Sequence, residues 1–244
     1  DDIKAWAVCA KKERKIRFFG FSAHSNMEEL LQAASGMPWI DAIMMSYNYR
    51  LMQSDKMRRA VEACAKAGVG LTAMKTQGGG QIKADSETEL KMAGRFLEQG
   101  FSDKQAKLKA VWEEPNIACI CSQMPNMTIL MSNIAAALDK TTLSAENRAL
   151  LRQYADETCS GYCAGCASLC ESVVNPPVPI ADVMRHLMYS RHYGDRALAA
   201  SLFERMPGSA RESLASLDFS RAESVCPNRL PIGRLMREAV QELG

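Results

Sequence analysis

The sequence predicts an α/β protein in which parallel strand–helix units fill residues 1–143 and a small helical, cysteine-bearing domain fills 144–244. Three observations predict it. Short, almost continuously apolar runs alternate with stretches of helical period, as strands do when helices cover both faces of a parallel sheet or ring a parallel barrel. Four cysteines crowd into the run CSGYCAGCASLC at 159–170. The segment VPIADVMR at 178–185 recurs as LPIGRLMR at 230–237.

Each element of the first segment follows from its own residues. The basic stretch KKERKIR at 11–17 reads as a solvated helix end and turn. IRFFGFS at 16–22 is the first strand, and Ser25 with Glu28 supplies an S-x-x-E capping box for a helix stopping near Gly36. IDAIMMSYN at 40–48 is the second strand, followed by a helix from about Ser54 to a stop at Gly68. VGLTAMK at 69–75 is the third strand, GGG at 78–80 a loop, and two helical stretches span about 86–114. IACICSQ at 117–123 is the fourth strand, and a helix follows over about 127–139. Four units are half of what a parallel barrel needs, and four strands alone leave two edges unpaired. An amino-terminal half of the barrel is therefore expected outside this chain, and the opening DDIKAW, with no initiator Met, agrees.

Composition narrows the function classes. Of 244 residues, 47% are hydrophobic and 24% charged, the mix of a soluble globular protein. A net charge of +2 is too small to draw nucleic acid. No run approaches the roughly 18–20 apolar residues that a membrane span requires. Cys9, Cys64, Cys119 and Cys121 stand singly in apolar surroundings, as buried small hydrophobes do in a reducing compartment. A cytoplasmic location is expected, and a secreted disulfide framework is not.

Beyond this segment, Ser144 caps a helix that runs to Glu157, and each copy of the repeat is a Pro-initiated amphipathic helix. The cysteine run has the spacing C-x3-C-x2-C-x3-C. Thiolates suit iron–sulfur clusters and zinc alike, but structural zinc usually draws ligands from two separated knuckles, whereas one compact run is commoner for clusters. A 4Fe-4S cluster is the first expectation and zinc the second. Cys226, in CPNRLPI, is a fifth candidate, because a Cys followed by Pro supplies the ligand from the other repeat in ferredoxin-type modules. Cys163, Cys166 and Cys170 are the first members of the set, with Cys159 ranked ahead of Cys226 for the fourth place. Alignment on the Pro-Ile pairs puts Val174 opposite Cys226. Phe219 and Ala222 then fall where a second cluster needs cysteines, so one cluster is expected.

The segments IRFFGFSAHS, IDAIMMSYNYR, VGLTAMKTQGGG and SQMPNMTILMSNIAAA resemble the second half of an aldo/keto reductase barrel. CAGC, VPIADVMRHLMYSRHYGD and CPNRLPIGRLMREA resemble the ferredoxin-type 4Fe-4S extension on one branch of that family. The resemblance covers nearly the whole chain. It implies the carboxy-terminal half of a (β/α)8 barrel joined to a helical cluster domain. For the intact protein it implies NAD(P)-linked redox chemistry on a small-molecule carbonyl or alcohol. The cluster would relay single electrons to a redox partner protein or tie the carboxy-terminal domain together. The family's proton-donating Tyr and its Lys, Asp and His companions belong to the first four strands. No catalytic residue is placed in this chain, and alone it is expected to be inactive.

What the resemblance carries over is the cofactor side. Ser22 would hydrogen-bond the nicotinamide carboxamide, and the loop Lys75–Gly80, with Gly78 and Gly79, would lie near the pyrophosphate. Gln123, Met124, Asn126 and Asn133 would hold the adenosine phosphate. The chain departs from the family pattern at Ala23 (usually Asn), Met44 (Gln or Asn), Met74 (an aromatic) and Ile129 (an Arg). Those departures support a second expectation, an electron-transfer or docking module on a degenerate barrel scaffold. Met44 and Met74 otherwise read as core packing. His24 follows a strand end, where active-site residues of barrels collect or a loop His is simply hydrogen-bonded. His186 and His192 read as surface residues.

Overall fold

The computed structural model of the chain describes residues 2–79 and 87–244. Gly80, and the residue at 86 from which a helix is expected, lie outside the described residues.

Strands and helices alternate as the apolar runs require. α1 (Asp2–Lys12) leads into β1 (Gly20–Ala23), and α2 (Met27–Ala34) into β2 (Ala42–Ser46). α3 (Asp55–Lys66) precedes β3 (Gly70–Met74), α4 (Glu87–Glu98) and α5 (Asp103–Trp112) precede β4 (Cys119–Ile120), and α6 (Met127–Leu138) follows. The four strands pair in parallel, in chain order. Side chains alternate across the sheet. Ile43, Met45, Leu71 and Ala73 are buried, as are Met27 and Leu31 of α2 and Met57, Val61 and Cys64 of α3. The opposite row, Ser22, Met44 and Thr72, lies in register across three strands with Ser22 exposed and the other two half-buried. One face of the sheet is thus closed and the other open, which fits a ring of helices better than a sheet covered on both sides.

β1 and β4 form the edges, and β4 is shorter than the expected strand at 117–123. Two further bonds, from Ala118 N–H to Leu71 O and from Cys121 N–H to Ala73 O, extend its pairing. Apolar residues are exposed beside both edges: Ile3, Trp6 and Val8 on α1, and Met127, Met131, Ile134 and Leu138 on α6. Of the four scattered cysteines expected to be buried, only Cys64 is, with its thiol donating to Leu31 O at 3.2 Å. Cys9, Cys119 and Cys121 are exposed.

Local capping largely follows the sequence. Ser54 accepts from Met57 N–H at 3.3 Å and opens α3, while Ser102 and Gln105 complete a reciprocal capping box on α5. The expected box at Ser25 and Glu28 does not form: α2 begins after Asn26, which is left-handed at φ 49°, and the Glu28 carboxylate instead accepts from Ser54 Oγ.

The described residues fall into two compact units. The first runs through Gly78 and again to Ala155, and the second comprises Asp156–Gly244 with Gly79. The boundary expected at residue 144 therefore lies at 155/156. Helix α7 (Ala145–Glu157), capped by Ser144 as expected, is tied into the first unit. Tyr154 stacks on Tyr49 with ring centroids 6.1 Å apart, Arg50 donates to Ala155 O at 3.1 Å, and Arg95 donates to Asn147 Oδ1 at 2.6 Å.

The second unit is helical: α8 (Ala167–Cys170), α9 (Ile180–Tyr193), α10 (Arg196–Glu204), α11 (Gly208–Ser213), α12 (Ser220–Val225) and α13 (Ile232–Leu243). Its core includes Val174, Val183, Leu187, Phe203, Phe219 and Met236. The two Pro-Ile helices are α9 and α13, and they contact each other. His186, expected at the surface, is 5% exposed within α9. Among the described residues, no helix is long and apolar enough to cross a membrane.

Candidate functional site

The second unit folds its cysteines around one small apolar cavity. Cys163, Cys166, Cys170 and Cys226 all line it, together with Ile180, Met184 and Ile232 among others. Local structure explains the convergence. Gly165, at φ 79°, turns the chain between Cys163 and Cys166, and the short helix α8 carries Cys170 one turn beyond. Cys226 arrives from the second repeat, at the end of α12 and in front of Pro227. Asn228 holds that turn against the first cysteine segment, its side-chain amide donating to Tyr162 O at 2.6 Å.

Cys159 is absent from the lining. It starts a 3-10 turn in which its own carbonyl accepts from Tyr162 N–H at 3.0 Å. The ranking of Cys159 ahead of Cys226 does not match this geometry. Proximity in sequence favoured Cys159, but the duplicated helices bring Cys226 to the cavity from the far side of the repeat.

Electrostatics at the cavity oppose free thiolates. Burial pushes the Cys163 thiol up to about 12, with Cys166, Cys170 and Cys226 adding to the rise and the Gly165 N–H countering it. Burial likewise pushes Cys170 up to about 12, helped by the carboxylate of Glu171 and by Cys166 and Cys226. Four thiolates here would repel one another in an apolar setting, and a cationic centre would relieve that repulsion. Among the described residues, no three His, Cys, Asp or Glu side chains close around a position for a single metal ion.

The repeat extends further than its Pro-Ile helices. The triplet ESV at 171–173 recurs at 223–225, and its glutamates act alike. Glu171 accepts from Ala181 N–H at 2.9 Å, and Glu223 accepts from Gly233 N–H at 2.8 Å, each satisfying the first turn of the helix that follows. That identical triplet was a readable signal for these two anchors. The positions of an eroded second site, Val174, Phe219 and Ala222, are buried in the apolar core.

In the first unit, the residues that the resemblance assigns to a nucleotide lie near the carboxyl ends of the strands or in the segments that follow. Ser22 sits on β1 next to Met44 of β2. His24 and Ser46 meet at 3.3 Å between Nδ1 and Oγ. Lys75 is left-handed at φ 58°, and its carbonyl accepts from Asn48 Nδ2 and from Gly78 N–H. Gly78 must be glycine: at φ 61° its carbonyl accepts from Arg50 Nε, and an added Cβ would meet Tyr49 Cε1 at 2.7 Å. Gly79 lies in the second unit, against Met188. Gln123 is exposed, Asn126 is spent as the cap of α6, and Asn133 donates to Ser122 Oγ at 3.1 Å. Of the two methionines, Met74 is buried and Met44 only half-buried on the open row. A cluster that the sequence did not announce surrounds the Tyr49–Tyr154 pair: the Arg50 guanidinium lies 5.0 Å and the Lys107 ammonium 5.7 Å from the Tyr49 ring centroid.

No family model matches the sequence, and no curated protein matches it. Solved structures do match. One is a thermostable aldo-keto reductase in complex with the inhibitor epalrestat, 22% identical over 60% of this chain and 51% of that chain, with a TM-score of 0.47. Another is an aldo-keto reductase from Bacillus halodurans in its holo form, 18% identical over 60% of this chain and 52% of that one, with a TM-score of 0.45. The chain spans about half the length of these structures.

Proposed function

We propose that the carboxy-terminal unit binds a 4Fe-4S cluster through Cys163, Cys166, Cys170 and Cys226, and that the intact protein is an oxidoreductase. The observation that carries this reading is the convergence of Cys226, from the second repeat, on the cavity lined by three cysteines of the first. The cluster supplies one-electron redox chemistry when bound. The chain's own residues do the rest: the four thiols hold it, the apolar lining excludes water, and Glu171 and Glu223 fix the helices that form the walls.

For the intact protein, the reading is aldo/keto reductase-type chemistry, NAD(P)-linked, on a small carbonyl or alcohol. The sequence resemblance and the strand-end placement of Ser22, His24 and Lys75 support it. A second reading is an electron-transfer or docking module on a degenerate barrel. It is favoured by Asn126, whose side chain accepts from Ile129 N–H, and by Asn133, whose side chain donates to Ser122 Oγ. Anaerobic purification with iron and acid-labile sulfide analysis tests the cluster. Calorimetric titration of the intact protein with NADH and NADPH separates the two readings: binding supports the reductase, and its absence supports the module.

A further inference from the structure

The turn that carries Cys226 is fastened across the repeats by one side chain. Residues 226–229 form a β-turn: Arg229 N–H donates to Cys226 O at 3.0 Å, and Pro227 pre-sets the first central position. Arg229 leaves this turn left-handed, at φ 51°, a conformation that a non-glycine residue keeps only where its surroundings fix it. Asn228 supplies the fixed point. Its half-buried amide donates to the carbonyl of Tyr162, next to Cys163, at 2.6 Å. Tyr162 is itself held, with its ring buried and its N–H donating to Cys159 O at 3.0 Å. Apart from the thiols, Asn228 has the one polar side chain among the residues that line the cavity. The repeat offers an internal comparison. In the first copy, Val174 and Pro176 stand at the places of Cys226 and Asn228, so the copy without the cysteine also lacks the amide.

We propose that Asn228 is a positioning residue for the fourth ligand: by clamping the 226–229 turn to the first cysteine segment, it holds the Cys226 thiol at the cavity. The inference rests on the cluster assignment above and adds the group that keeps Cys226 in place. Cys163, Cys166 and Cys170 need no such clamp, because the turn at Gly165 and the short helix α8 place all three within eight residues. Cys226 arrives from the other repeat, at the end of α12, so its place depends on contacts between the repeats. The Asn228 amide supplies a directional one, two residues from the thiol it positions.

The test uses the cluster-loaded full chain under anaerobic conditions, with iodoacetamide as probe. A ligated thiol is protected and a released one is alkylated, and mass spectrometry of the peptides reads each cysteine separately. Asn228→Ala and the isosteric Asn228→Asp, which removes the donor, are compared with the parent and with Asp195→Ala. Asp195 caps α10, accepting from Leu198 N–H at 3.0 Å, so its loss weakens the same unit away from the cavity. Both Asn228 variants are expected to alkylate at Cys226 about tenfold faster than the parent, a factor within the reach of one hydrogen bond. Cys163, Cys166 and Cys170 are expected to stay protected, and Asp195→Ala to leave Cys226 at the parent rate. Where a variant holds no iron, the same labelling is read on the iron-free chains, and Cys226 alone is expected to react faster. Unchanged labelling of Cys226 in both variants, or labelling that rises at all four cysteines together, would overturn the positioning role while leaving the cluster standing. A parent chain that takes up no iron would instead overturn the cluster assignment, and the inference with it.

Discussion

Glu171 and Glu223 occupy equivalent places in the two repeats: each carboxylate accepts from the backbone N–H of the second residue of the following Pro-Ile helix, Ala181 or Gly233. These helices cannot cap themselves in the usual way, because the residue before each is Pro, with no side-chain acceptor. The glutamates supply that acceptor from ten residues upstream. Glu171→Ala and Glu223→Ala are each expected to destabilise the second unit by about 1–2 kcal/mol, and the Gln variants by less, since an amide oxygen still accepts. Denaturant unfolding of the intact chain checks this.

Val174 stands where Cys226 stands in the other repeat, but it is buried with Phe219 and Ala222. All three positions are occupied by apolar side chains packed in the core. Val174→Cys is expected to leave the iron content per chain unchanged, measured by metal analysis after anaerobic reconstitution. A rise in iron would show that the packed core can still open for a second cluster.

Gly78 and Gly68 separate two costs of adding a methyl group. Both have positive φ, but a Cβ at Gly68 meets nothing within 4 Å, whereas one at Gly78 collides with Tyr49. Gly68→Ala is expected to cost about 1 kcal/mol from backbone strain, and Gly78→Ala clearly more, because the Tyr49–Tyr154 stack and the Arg50 bond to Gly78 O must shift. Thermal melting of the two variants, compared side by side, gives the order.

Much of the first unit was legible because its strands are short apolar runs punctuated by Ser caps and by Gly68. The capping box at Ser25 failed because Asn26 can adopt the left-handed conformation and start the helix later. The boundary at 144 failed for a different reason: aromatic stacking between Tyr49 and Tyr154, distant in sequence, leaves no local mark. The five candidate thiols were legible in the sequence. That Cys226 lines the same cavity as Cys163, Cys166 and Cys170 was not, because spacing alone does not reveal how the two repeats pair.

Acid should act at Asp139. Its carboxyl is held at about 2, first by the Thr141 N–H and then by Lys109, whose ammonium is buried and lies 2.9 Å away. A depressed folded value means that this stabilisation is complete above the ordinary carboxylate range and is lost as pH falls from about 4 toward about 2. Asp139→Asn is expected to lower stability at neutral pH and to flatten this part of the acid-unfolding curve, followed by circular dichroism.

The identity of the fourth ligand tests the central claim most directly. Iron and acid-labile sulfide are measured per chain in Cys226→Ser and Cys159→Ser, each purified anaerobically beside the parent. The cavity geometry predicts that Cys159→Ser keeps the parent's colour and about four irons, while Cys226→Ser loses most of both. A colourless Cys159→Ser beside a brown Cys226→Ser, or one zinc and no colour in the parent, would contradict it.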